Sequence, residues 1–255
     1  MLELKNLEIY RGDLCVANKV NTNFKSGKTY GILGPNGAGK TSLLTAIFGD
    51  LDFSGEIKFK DKTLSFKNHF SWKKQIAYMP QDSLVDASLT ALEVVLLGLL
   101  DNLGLYVSDE QLSKAVSIMD ELGILHLASK DVTKLSGGQR QMVMFASVLI
   151  KSPKIILLDE PVSALDMHHS CILLDYVKKF TKERDLTTIM ILHDLSLASQ
   201  FCDELILLNK AEIKAQGAPK EVLTKDIIKE LYRVKADIFY CSDGQPVVIA
   251  KQAIK

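Results

Sequence analysis

The sequence predicts an α/β protein: a β-rich first third, a helical stretch in the middle and a βαβαβ series towards the end. Three observations carry that expectation. A short apolar strand, Thr29 to Leu33, runs straight into the glycine-rich loop GPNGAGKT at Gly34 to Thr41. From Thr90 to Leu127 the apolar residues recur three and four apart, the period of a helix. Beyond that stretch, Lys154 to Leu158 is a continuous apolar run of the kind that fills the centre of a parallel sheet.

Taken in order, Leu2 to Tyr10 and Val20 to Phe24 read as strands separated by a turn. Thr41 to Phe48 has helical spacing after the glycine-rich loop, Glu56 to Phe59 and Lys62 to Phe66 resemble a hairpin, and Gln75 to Met79 is a strand ending at Pro80. After Gln139 a further helix is expected to run to about Ile150. Helix Ser170 to Lys182, strand Thr188 to Leu192, helix Ser196 to Phe201 and strand Glu204 to Leu208 then complete the series. No repeat, low-complexity tract or linker interrupts the chain. A single domain over 1–255 is expected, with core and β lobe at 1–85 and 151–255 and a helical lobe at 86–150.

Composition narrows the function. Lys+Arg and Asp+Glu both count 31 in 255 residues, with no block of five or more like charges, so nucleic acid is not an expected partner. Cys15, Cys171, Cys202 and Cys241 form neither a CxxC pair nor a zinc spacing and read as free thiols of a reducing cytosol. The opening MLELKNLEIYRGD has no apolar signal core. The most apolar stretch, Leu92 to Leu105, contains Glu93, Asp101 and Asn102 and falls short of the roughly 20 apolar residues a membrane span needs. Membrane association would therefore require a partner.

The chemistry sits in two motifs. In the loop, Gly34, Gly37 and Gly39 allow consecutive backbone N–H groups to curl around phosphate oxygens, so Gly34, Pro35, Asn36, Gly37, Ala38, Gly39, Lys40, Thr41 and Ser42 are the candidate phosphate cradle. Lys40 would reach the β- and γ-phosphates, and Thr41 would offer its hydroxyl to Mg²⁺. A plain glycine-rich turn is the alternative, and the strand before and helix after argue against it. In IILLDE, Ile155 to Glu160, a buried strand ends in two acids: Asp159 to hold Mg²⁺ through water, Glu160 to orient an attacking water. Alone, such a pair is more often a solvated strand end or a helix cap. The upstream phosphate loop reverses that judgement.

LSGGQ at Leu135 to Gln139, followed by LLDEP at Leu157 to Pro161, resembles the ABC ATPase family, and the likeness covers almost the whole chain. The resemblance implies a P-loop NTPase core (RecA-like) with an N-terminal antiparallel β lobe and an inserted α-helical lobe. It implies ATP and Mg²⁺ as cofactors and a second copy of the chain bound head to tail, with Ser136, Gly137, Gly138 and Gln139 holding the γ-phosphate of the partner's ATP. Tyr10 matches the aromatic position that stacks on adenine, and Gln81 the glutamine that senses Mg²⁺ and water beside the membrane subunit. His193 matches the histidine on the γ-phosphate, and Ser163 to Asp166 the loop that crosses to the other subunit. The implied catalytic set is Glu160, His193, Lys40 and Gln81, and the implied metal set is Thr41, Gln81 and Asp159.

Some residues depart from the family pattern. Met142 and Ser147 stand where many relatives have arginine, Val162 where threonine is usual, and Ala211 in place of a turn glycine, with Asn209 the expected left-handed turn residue. None of these removes a nucleophile, metal ligand or acid. His168 and His169 beside Cys171 lack tetrahedral zinc spacing and read as helix surface. HDLSLASQFCDELILL, AQGAPKEVLT and the ending VKADIFYCSDGQPVVI resemble the subfamily that powers bacterial importers of ferric siderophores, haem and vitamin B12. The resemblance implies an ATPase subunit on the cytoplasmic face of the inner membrane. Its partners would be integral permease subunits and, indirectly, a substrate-binding protein, with a ferric siderophore as first choice of cargo. The alternative is a soluble ABC ATPase that moves a cytosolic partner.

Overall fold

The computed structural model describes residues 1–81, 88–99 and 106–254. The chain opens with β1 (Leu2–Arg11), β2 (Leu14–Phe24) and β3 (Lys28–Leu33), then α1 (Lys40–Phe48), β4 (Ser54–Phe59), β5 (Lys62–Thr63), α2 (His69–Lys73) and β6 (Ile76–Met79). The helical stretch holds α3 (Ala91–Leu97), α4 (Asp109–Glu121) and α5 (Gly137–Leu149). Next come β7 (Ile155–Asp159), α6 (Met167–Glu183), β8 (Thr187–Ile191), α7 (Leu195–Phe201), β9 (Glu204–Asn209) and β10 (Glu212–Gly217). The chain ends with α8 (Pro219–Val222), α9 (Lys225–Tyr232), β11 (Val234–Tyr240) and β12 (Pro246–Ala253).

The central sheet runs β10-β9-β3-β8-β7-β6, all parallel except the edge strand β10. Every residue of β7 and β8 is buried, which is why, up to Asp159 at the end of β7, their sequences are apolar or threonine runs instead of alternating ones. One face of the sheet packs against the helical stretch, α6 and α7, with Phe145, Leu149, Leu173 and Phe180 in its core. The other face packs against α1 and the inner side of an antiparallel sheet, β2-β1-β4-β5, through Leu4, Leu7, Ile9, Leu43 and Ile47. In this second sheet buried and more exposed residues alternate, with breaks at the register shifts, as one-sided burial requires.

Helix starts follow side-chain capping. Thr90 with Glu93, Ser108 with Gln111 and Ser136 with Gln139 each form a reciprocal capping box on α3, α4 and α5. The helix after LSGGQ, the family's signature motif, therefore begins inside that motif, at Gly137, ahead of the start that periodicity suggests.

Other local expectations are corrected. β2 starts at Leu14 because Gly12, at φ 58°, makes a tight turn there; register shifts and the positive φ of Lys19 obscure its alternation in the sequence. The expected hairpin strand at Lys62 to Phe66 pairs only over Lys62–Thr63, and a 3-10 turn at Phe66–Asn68 leads into α2. That helix is pinned by Trp72, which is 2% exposed and whose Nε1 donates to Ile47 O at 2.9 Å. In the turn after β9, Lys210 and Ala211 take the positive φ values, not Asn209. The tail pairs β11 with β12 and docks on α7, where Val248 N donates to Ser196 Oγ at 3.2 Å. The end of the apolar stretch, 100–105, and the expected lobe boundary at 85/86 lie outside the described residues.

Trp72→Ala is expected to destabilise the chain by about 3–5 kcal/mol, because it empties a filled core site and orphans a buried carbonyl. The midpoint of guanidinium unfolding measures this, and an unchanged midpoint would show that α2 is not anchored through the indole.

Candidate functional site

β3 delivers the chain to the glycine-rich loop at the carboxyl edge of the parallel sheet. Gly34, at φ 148°, lies so close to β9 that a Cβ there would sit 2.1 Å from Leu208 O. Gly39, at φ 95°, lies equally close to β2, with a would-be Cβ 2.0 Å from Val16 O. The loop is thus clamped between the two sheets, and only glycine fits at either clamp. No side chain caps α1 at Gly39, so its first N–H groups remain available to an anion. The Lys40 ammonium folds back on the loop, donating to Gly34 O at 2.9 Å and Pro35 O at 3.1 Å. Burial holds its pKa below the usual lysine range, with the charges of Glu160 and Asp159 opposing.

β7 ends at Asp159, which is 1% exposed and whose Oδ1 has no hydrogen-bond partner. Tyr78 OH donates to its Oδ2 at 3.5 Å, and the Thr41 hydroxyl also bonds the carboxylate. Burial pushes the carboxyl above its usual range, against those hydrogen bonds. An orphaned, buried carboxylate oxygen beside a threonine hydroxyl fits Mg²⁺, which takes oxygen ligands, keeps several waters and needs only one or two carboxylates besides phosphate. Among the described residues no three His, Cys, Asp or Glu side chains converge on a closed metal cage.

Glu160 follows in a left-handed backbone conformation, φ 53°. Such a conformation costs about 1–3 kcal/mol in a non-glycine residue and persists only where neighbours hold it. Here Glu160 N donates to Ile191 O at 3.2 Å, and Ser163 N and Oγ donate to Glu160 O at 3.2 and 3.1 Å. The carboxylate is gripped at both oxygens. Gln81 Nε2 donates to Oε2 at 2.9 Å, and His193 Nε2 bonds Oε1. His193 is aimed by the start of α7, where Asp194 Oδ1 accepts from Ser196 N and Leu197 N at 2.7 and 2.9 Å.

These residues share an open cleft of about 670 Å³ lined by Asn36 to Ser42, Gln81, Glu160 and His193. Gly34 and Pro35 lie beneath it as acceptors for Lys40. Arg11, Leu14 and Val16 complete the lining; sequence reasoning missed them, and the tight turn at Gly12 is what brings them there. Tyr10 does not line the cleft: it is 54% exposed on β1, opposite Cys15. Tyr78, which bonds Asp159, carried no signal in the sequence beyond its place on a strand.

Ser136, Gly137, Gly138 and Gln139 do not reach this cleft within the chain. Ser136 and Gly137 are exposed at the start of α5, and Gly138 is covered by the ring of His169. His168 and His169 lie on the surface of a helix, as expected; the His169 ring is in addition bonded by Asp166 and packs over Gly138.

A family model described as "ABC transporter" matches residues 17–163. The hemin import ATP-binding protein HmuV of Plesiomonas shigelloides is 33% identical over 92% of this chain and 96% of its own length. The cobalamin import ATP-binding protein BtuD of Halobacterium salinarum is 30% identical over 93% of this chain and 60% of its own. Among solved structures, a dimeric post-hydrolysis state of an ATP-binding cassette bound to ADP and Pi superposes with a TM-score of 0.75 at 28% identity, covering 86% of this chain and 99% of that one.

Because its carboxylate is buried with one oxygen unpaired, Asp159→Asn is expected to stabilise the nucleotide-free chain by about 1 kcal/mol, raising Tm by about 2–4 °C, while hydrolysis is lost. Calorimetry without nucleotide checks the sign. A lower Tm would mean that Asp159 is better paired in solution than its geometry indicates.

Proposed function

The chain belongs to the ABC transporter ATP-binding family, whose members hydrolyse ATP to drive transport, and on that premise we propose that it powers a bacterial importer as a head-to-tail dimer. The observation that carries the reading is Glu160, held by Gln81 and His193 over the cleft that Lys40 and Thr41 line. In this reading the β- and γ-phosphates enter the loop at Asn36 to Ser42, and Lys40 exchanges the carbonyls of Gly34 and Pro35 for phosphate oxygens. Bound Mg²⁺, held by Thr41 and Asp159 with Gln81 near it, would supply charge neutralisation at the bridging and terminal oxygens. Glu160 orients a water in line with the γ-phosphorus, and His193 fixes the carboxylate and reaches the γ-phosphate. Catalysis is then positioning plus charge stabilisation.

Ser136, Gly137, Gly138 and Gln139 supply the other wall of the site, but to the ATP of a second copy. The exposure of Ser136 and Gly137 at the start of a helix and the absence of all four from the lining of the chain's own cleft support that assignment, as does the dimeric cassette among the solved structures. Tyr10, outside the cleft lining, would stack on adenine from its exposed place on β1.

Among the described residues no helix is long and apolar enough to cross a membrane. A pair of integral permease subunits is proposed to hold the dimer on the cytoplasmic face of the inner membrane. A groove of about 300 Å³ between α1, β6, α3 and α5, lined by Phe48, Tyr78, Leu97 and Met144, suits a permease helix. It lies one residue layer from Asp159 through Tyr78. Cargo is presented by a substrate-binding protein. Sequence resemblance puts a ferric siderophore first, and the two named relatives move haem and cobalamin ahead of it.

Glu160→Gln is expected to abolish steady-state hydrolysis yet trap an ATP-bound dimer, seen as a doubling of mass in size exclusion; normal turnover would sink the assignment. Lys40→Ala is expected to weaken ATP binding at least tenfold by calorimetry. In cells lacking this subunit, loss of labelled haem uptake with siderophore and cobalamin uptake intact would fix the cargo. Unimpaired uptake of all three would reject the importer reading.

A further inference from the structure

We propose that His169 is a positioning residue that ties the signature turn at Gly137 and Gly138 to the loop 163–166, and through that loop to the backbone of Glu160. The inference rests on the reading that Gly137 and Gly138 engage the nucleotide of a second copy.

His169 stands in the first turn of α6, whose N-cap is Asp166. The cap is doubled. Asp166 Oδ1 accepts from His169 N at 2.8 Å, and the same carboxylate accepts from ring Nδ1 at 2.8 Å to Oδ1 and 3.0 Å to Oδ2. Backbone and ring bonds together hold the Asp166 carboxyl below its usual range. The ring is thereby fixed in position and in tautomer, with the proton on Nδ1.

The face of that fixed ring lies on the signature. A Cβ built on Gly138 would be 2.3 Å from His169 Cδ2, 2.6 Å from Cγ and 3.0 Å from Nε2. The imidazole fills the space a side chain at 138 would need. One residue earlier, a Cβ on Gly137 would meet Ala164 O at 3.6 Å, so the loop passes close by the first glycine while the His169 ring covers the second.

The loop leads back to the catalytic carboxylate. Leu165 N donates to Val162 O at 3.1 Å, and Ser163 donates twice to Glu160 O, the carbonyl of the residue held at φ 53°. A shift of Gly138 must therefore move the ring, the Asp166 cap and the loop that fixes Glu160. His168, one residue before, is exposed and meets His169 edge-on at 5.4 Å between ring centroids. The signature serves one ATP and Glu160 another, so His169 would link occupancy of one site to readiness of the other within a single chain.

The test is steady-state hydrolysis by the full chain and its His169→Ala variant, with ATP affinity from calorimetry and Tm measured alongside. The inference predicts that kcat falls about tenfold while KM and ATP affinity stay within about twofold, because the chain's own phosphate loop is untouched. His169→Asn retains a donor for Asp166 but is too short to cover Gly138. It covers the case in which the alanine variant folds poorly, and is expected to show the same split. Wild-type kcat in either folded variant, or kcat and ATP affinity falling together, overturns the role. An ATP-bound dimer of Glu160→Gln together with normal turnover of the single variant His169→Ala rejects the strut alone; no dimer of Glu160→Gln at all rejects the cross-subunit reading and the strut with it.

Discussion

Strand order in the central sheet is the constraint on which everything else depends. β8 lies between β3 and β7, in register so that Ile191 pairs with Ile32 on one side and Asp159 on the other. Neighbouring strands are about 4.8 Å apart, so the residues that leave these three strands emerge side by side. Those residues are the phosphate loop, the acid pair and His193. Ligands of parallel α/β sheets bind outside the carboxyl ends of the strands for this reason. Any other order of the same strands would bury the same apolar surface and scatter the chemistry.

The second sheet tightens the arrangement. Val16 O lies against Gly39 and Leu208 O against Gly34, so the loop is held from both sides. The site holds unmet electrostatic demand in the free chain: Lys40 borrows carbonyls, Asp159 Oδ1 has no partner, and Glu160 sits in a strained conformation. Each deficit has the sign that phosphate, a divalent cation or a bound water would meet. Pre-organised groups of this kind cost stability when empty and need little rearrangement when charge arrives.

Much of this was legible in the sequence because it depends on local rules. The central strands announce themselves as apolar runs, and the phosphate loop as glycines between strand and helix. Glu160 is named by its neighbours along the chain. What stayed hidden depends on contacts between distant segments. The first half of β2 is masked by a bulge at Lys19, and α2 is held by a single indole reaching Ile47 O. The tail hairpin docks by a bond from Val248 to Ser196, 52 residues apart. The packing of His169 over Gly138 was hidden because the two residues lie on different helices, 31 residues apart. The left-handed turn residue was misjudged by propensity: Asn209 is the better left-handed former, yet Lys210 and Ala211 occupy those positions, and Ala211 O is fixed by a bond from Asn18 N at 2.7 Å.

The central claim is that one chain holds two half-sites and that two chains complete each other. Mixing two inactive variants tests it most directly: Lys40→Ala, which lacks a working phosphate loop, and Gly137→Asp, which lacks a working signature. If the loop of one copy meets the signature of the other, mixed dimers contain one intact site, and hydrolysis returns on mixing. If loop and signature of the same chain serve one ATP, mixing restores nothing even where mixed dimers form, and that result would contradict the account.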